Sequence, residues 1–217
     1  MSVRFDSNAY IRFSSPTAAL NLTSKTYHCF VTGRSARTFF SGNDIFQISP
    51  GTSSVNTLRF EAFFSTTNGV WTASPPINAT KITITYNGGA TGNNPVIYAD
   101  GVSLTVTRTA APVGTYSTSA TQIDLGHNGS VSNPLFLEDF RIYNVIKTAA
   151  QVAAIADEDI RTDQNIDESG LVFHAPLTMC RGLTYPTFVG ATLSAANEFL
   201  DRVNGYVGVP SGSPVGA

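Results

Sequence analysis

The chain has 217 residues, enough for one domain with a substantial core plus an extension. It is 42% hydrophobic but only 13% charged, with a formal net charge of −2. Its surface must therefore be built from Ser, Thr, Asn and Gly, and it lacks the clustered Lys and Arg that nucleic-acid phosphates require. No apolar run approaches the roughly 20 residues a membrane-spanning helix needs. The N-terminus, MSVRFDSNAY, enters a strand without the charged-then-apolar pattern of a secretory signal. Neither nucleic acid nor a membrane is expected as a partner.

In chain order, Val3–Phe13 alternates, with Val3, Phe5, Tyr10, Ile11 and Phe13 on the core side around a Ser-Asn turn. Lys25–Thr32 has Tyr27, Cys29 and Val31 on one face and His28 and Phe30 on the other, the pattern of a strand covered on both sides. Thr38–Phe40 and Asp44–Ser49 form a hairpin around Ser41-Gly42-Asn43. Thr57–Ser65 alternates Leu58, Phe60, Ala62 and Phe64 against Arg59 and Glu61. Trp71 stands alone before Ser74-Pro75-Pro76, which blocks a central strand there. Lys81–Tyr86 is a strand. Pro95–Ala99 and Val102–Val106 flank Asp100-Gly101, a two-residue hairpin signal, because both turn positions require positive φ. Gln122–Gly126 is a further short strand.

Leu135–Asp159 reads as a strand, a break and a helix. Leu137, Phe140, Ile142 and Val145 look inward, while Glu138, Arg141 and Asn144 look outward. The step from Leu137 to Phe140 breaks alternation and predicts a bulge at Glu138–Asp139. Thr148 and Gln151 have capping-box spacing, so a short helix near 148–158 follows. Residues 160–217 form an extended C-terminal arm, with an edge strand at 170–177. Short strands separated by Gly, Asn, Asp and Pro turns, with one late helix, make an all-β, two-sheet antiparallel jelly-roll sandwich.

Four stretches in order carry a family resemblance over roughly residues 3–159. Arg4-Phe5-Asp6 through Tyr10-Ile11, Lys81–Gly88, Val96–Val102 and Glu138-Asp139-Phe140-Arg141-Ile142-Tyr143-Asn144 resemble the signature strands of concanavalin A-like, laminin-G-like jelly rolls. Gly170–Leu177 resembles the strand that opens a domain of this family, and Asp201–Val209 its second strand. The tail is therefore expected to supply an edge strand to its own sandwich or to a neighbour's. A bare roll of this kind also resembles bacteriophage structural proteins.

Candidate sites are few. Glycosidases of this fold need acid and nucleophile about 5–5.5 Å apart in retaining enzymes. The five Glu, at 61, 138, 158, 168 and 198, include no Glu-x-Asp-x-x-Glu strand. His28, His127 and His174 are scattered, and no nucleophile elbow is visible, so no enzyme is expected. No cofactor is expected either. Calcium is possible through Asp44, Asp100, Asp124 and Asn128. Cys29 and Cys180 could form a disulfide but are read as separate thiols. For a glycan site, Trp71 and Asn128 are the candidates; of the aromatics Trp71, Tyr98, Tyr116 and Tyr143, Trp71 is the open one, whereas Tyr98 and Tyr143, within motif strands, are better read as packing. In the arm, Tyr185, Phe188, Phe199 and Tyr206 need burial, and a neighbouring subunit can provide it.

Two functions remain. The first is a virion-surface structural protein, a phage capsid decoration or auxiliary protein that self-associates and contacts other capsid subunits through its arm. The alternative is a carbohydrate-binding or adhesion module, with a glycoside hydrolase a distant third.

Overall fold

The computed structural model describes residues 3–5, 10–14, 20–32, 40–42, 46–50, 57–126, 135–158, 167–177, 199–200, 203, 207–211 and 215–216. In chain order the first strands are β1 (Val3–Phe5), β2 (Tyr10–Ser14), β3 (Ser24–Thr32), β4 (Phe40–Gly42), β5 (Phe46–Pro50) and β6 (Leu58–Ala62). There follow β7 (Gly69–Ala73), β8 (Lys81–Asn87), β9 (Val96–Ala99), β10 (Val102–Ser103), β11 (Thr107–Ala110) and β12 (Gln122–Gly126). The rest comprises β13 (Leu135–Tyr143), helix α1 (Ala149–Asp157), β14 (Leu171–Pro176), β15 (Phe199–Leu200), β16 (Val207–Ser211) and β17 (Val215–Gly216).

These strands form two antiparallel sheets. Sheet A runs β10-β9-β8-β3-β13-β1-β17, with β14 also paired to β13, and sheet B runs β11-β7-β6-β5-β4-β12-β2-β16-β15. The two-sheet antiparallel sandwich with a short helix after β13 is as the alternation predicts. Between the sheets lie the inward residues of each strand: Tyr27, Cys29 and Val31 of β3, Ile82 and Ile84 of β8, and Phe60 and Trp71 of sheet B. Aromatic rings bridge the layers, with Tyr86 of β8 5.3 Å from Trp71 and Phe173 of β14 5.0 Å edge-on to Phe13 of β2. Cys29 is a buried thiol in no disulfide; Cys180 lies outside the described residues.

β13 is the longest shared support. β3 pairs along one side of it from Phe136 to Tyr143. The other side is divided: β1 pairs with Leu135–Leu137, and β14 continues in the same direction from Tyr143 to Asp139. The C-terminal residues thus enter both sheets of their own chain, β14 and β17 in sheet A, β15 and β16 in sheet B. The bulge expected at Glu138–Asp139 is present as a register shift between Leu137 and Asp139.

Three local signals act as their chemistry requires. Thr148 caps α1, its hydroxyl accepting from Gln151 N while Gln151 Oε1 accepts from Thr148 N at 2.9 Å. Asp100 and Gly101 have φ of +47° and +81°, giving the β9–β10 turn two left-handed residues. A Cβ at Gly101 would meet Ala153 Cα of α1 at 3.2 Å, so the hairpin turn seats directly on the helix.

Two expectations are corrected. Ser74-Pro75-Pro76 does not exclude a strand at Trp71, because β7 ends at Ala73 and pairs with both β6 and β11 before the prolines begin. The second arm of the Asp100-Gly101 hairpin is also shorter than Val102–Val106: β10 stops at Ser103, where the chain leaves sheet A to start β11 in sheet B.

Candidate functional site

The step from β10 to β11 shapes an open groove at the sandwich edge. In β7, Trp71 turns inward, so alternation sends Thr72 to the outer face, directly opposite Thr107 of β11. Cross-strand neighbours of this kind have Cβ atoms roughly 4.5–5.5 Å apart. Thr72, Ser74, Ser103, Thr105 and Thr107 line the groove with five hydroxyls, and Ala73 and Leu104 supply its apolar part. It encloses about 500 Å³, within the range of small-molecule sites, although those are more often apolar. Leu104 is held in place by its backbone N–H donating to Ile97 O at 2.8 Å and by packing on the core.

Trp71 lies behind this groove rather than in it. It is fully buried, its ring close to Phe60 and Tyr86, and its Nε1 donates to Asn94 Oδ1 at 2.9 Å. A Cβ at Gly69 would fall 2.2 Å from the indole, so the glycine makes room for the ring. The expectation that Trp71 is an open sugar platform is therefore corrected: its ring is a core element. Tyr98, Tyr116 and Tyr143 are buried as well. Asn128, Tyr185, Phe188 and Tyr206 lie outside the described residues, as does the side chain of Phe199, whose backbone opens β15. Among the calcium candidates, Asp100 Oδ1 accepts from Thr80 N and Lys81 N, and Asp124 pairs with Arg12 through both oxygens. Asp44 is outside the described residues. Among the described residues, no group of three or more His, Cys, Asp or Glu is placed to hold a metal.

The sequence missed a second cluster, on the far side of sheet A. Register places Thr83, His28, Arg141 and His174 side by side across β8, β3, β13 and β14. Glu138 and Arg141, expected to look outward, are both buried; Arg141 pairs with Glu158 just past α1. Val145, expected inward, lies past the end of β13 and is exposed. Asp139 Oδ1 accepts from His174 Nε2 at 2.8 Å, and its Oδ2 lies 2.7 Å from Arg141 Nε. Glu158 Oε1 also accepts from Asp167 N at 2.8 Å. Lys147 donates to Asp167 Oδ2 and Ser169 O, both at 2.6 Å, with its ammonium over the Tyr143 ring. Burial alone would raise the pKa of Asp139, but the His174 hydrogen bond and the Arg141 charge outweigh it and pull it below the usual range. Burial, then the Arg141 charge, lowers His28 to about 3. His28, Asp139, Arg141 and His174 are buried, and the network ties the helix and β14 to the sheet. The signal for it was the polar face of β3, a strand whose patterning already required cover on both sides.

No family model matches the chain, and no curated protein matches it. Solved structures do. A candidate carbohydrate-binding protein from Bacteroides ovatus shares the fold at TM-score 0.64 and 14% identity, over 98% of this chain and 58% of that one. The binding domain of botulinum neurotoxin serotype D matches at TM-score 0.55 and 11% identity, over 72% of this chain and 42% of the other. The binding domain of botulinum neurotoxin DC, solved in complex with SialylT, matches at TM-score 0.51 and 16% identity, over 71% and 41%. The chain thus spans about three-fifths or less of the length of these proteins. At such identities the likeness shows a lectin-like β-sandwich fold.

Proposed function

We propose that this protein is a non-catalytic carbohydrate-binding module whose site is the groove between β7, β10 and β11. The observation that carries the reading is the lining itself: five hydroxyls around a small apolar surface, open to solvent, with no carboxylate, histidine or cysteine among them to act on a bound ligand. Structural neighbours that are a candidate carbohydrate-binding protein and the binding domains of neurotoxins support it. Each hydroxyl both donates and accepts, as sugar hydroxyls do, so the two surfaces can exchange hydrogen bonds in either sense. The virion-assembly reading rests on sequence resemblance alone, since none of these neighbours is described as a virion component.

The test is binding of the full chain to an array of immobilised glycans, followed by solution titration of the best ligands. Saturable binding with no change to the glycan is the expected result. No binding across the array would sink the proposal, and release of cleaved sugar would replace it with an enzyme.

A further inference from the structure

We infer that the groove selects uncharged saccharides and discriminates against sialylated, sulfated or phosphorylated ones; this rests on the carbohydrate-binding reading above. An anionic group entering the groove gives up its hydration, and that loss is recovered only where a cation or several N–H donors replace the water. The lining offers hydroxyls from Thr72, Ser74, Ser103, Thr105 and Thr107 and no charged side chain. Neither adjoining cation lines the groove: Arg59, opposite Thr72 in register on the same outer face, is paired with Glu61, and the other is Arg108. Arg108 is opposite Trp71 in register, so alternation sends it to the other face of β11 from Thr107. Long-range attraction is missing too, because the chain carries a net charge of −2.

An uncharged pyranose fits what is present. Its hydroxyl edge meets the Thr and Ser rim, and its C–H face meets Leu104. Among the described residues no aromatic ring lines the groove, and Trp71 is committed to the core. Single-site affinity is accordingly weak, with Kd on the order of millimolar for a short glycan. Useful attachment then comes from several sites engaging one glycan-bearing surface.

The experiment compares one neutral oligosaccharide core with its sialylated and sulfated derivatives, titrated into the full chain by NMR. The variants are Thr72→Val with Thr107→Val, which keep β-branched shape and remove two hydroxyls, and Ser103→Lys, which adds a cation to the rim. The expected result is at least a tenfold preference for the neutral core. The double variant should lose that binding at unchanged Tm, and Ser103→Lys should narrow the preference. Equal or tighter binding of the charged derivatives to the unaltered chain overturns the inference while leaving a carbohydrate-binding protein. Neutral-core binding that survives the double variant overturns it by placing the site elsewhere. Failure of every glycan to bind removes the carbohydrate reading and this inference with it.

Discussion

Asp139 of β13 accepts a 2.8 Å hydrogen bond from His174 of β14, and both side chains are buried behind sheet A. A carboxylate 35 positions earlier in the chain thus holds the returning C-terminal strand, and the same carboxylate balances Arg141. Removing one member of a buried charge pair leaves the other uncompensated, which costs about 3–5 kcal/mol. Asp139→Asn should therefore destabilise the protein by that order in urea unfolding. Amide exchange in β14 should accelerate more than in β8, and uniform acceleration would show that the tail does not depend on this contact. Because the folded pKa of Asp139 is lowered, its contribution is full above the unfolded value near 3.8 and is lost as pH falls through the folded value.

Lys25 points between the sheets, its ammonium 3.4 Å from Tyr116 OH and 5.3 Å from that ring's centre. Burial lowers its pKa to about 7. The unfolded chain keeps this proton up to about 10.5, whereas the folded chain releases it near 7, so stability should rise with pH between those values. The slope should be at most about 1.4 kcal/mol per pH unit. Lys25→Met should flatten that window and raise Tm at pH 7; a variant with an unchanged pH profile would show that Lys25 is not the source.

His28 titrates in the opposite region. It is held neutral beside Thr83, 2.8 Å from its hydroxyl, with a folded pKa of about 3 against an ordinary 6.5. Protonation of the unfolded chain should erode stability as pH falls from 6.5 towards 3. His28→Gln should remove that part of the acid slope, as read from denaturant midpoints at matched ionic strength.

Gly101 combines a φ of +81° with a helix backbone 3.2 Å from where a Cβ would sit. Gly101→Ala should cost about 1–3 kcal/mol through strain at positive φ and displacement of α1. Asp100→Gly at the neighbouring turn position relieves its φ but removes the acceptor for Thr80 and Lys81, so a smaller loss is expected. Chemical-shift changes along Ala153–Ala156 in the Gly101 variant alone would confirm the seating.

What the sequence disclosed was local. Thr148 with Gln151, Asp100 with Gly101, and the broken alternation after Leu137 each encode their geometry within a few residues. Trp71 was misjudged because its hydrogen-bond acceptor, Asn94, is 23 residues away and its glycine pocket at Gly69 looks like any turn glycine. The row from Thr83 to His174 was hidden for the same reason: its members belong to four strands and meet only once register is fixed. The groove was the least visible feature. In a chain this rich in Ser and Thr, five more hydroxyls carry no signal until β10 ends and the chain changes sheets.

The division of one edge of β13 between β1 and β14 has a consequence for synthesis. As the chain leaves the ribosome, β13 can pair at once with β3 and β1, both already made. Its Asp139–Tyr143 edge waits until Leu171–Pro176 has emerged. During that interval a run of backbone donors and acceptors stands open, the kind of template that recruits a strand from another nascent chain. Of what is made in between, α1 lies over the face of that sheet, tied to it by Glu158 and Arg141, without pairing to its edge. Nascent chains arrested when their emerged portion ends between Glu158 and Leu171 should therefore be the ones that aggregate or engage chaperones, and chains whose emerged portion includes Pro176 should not.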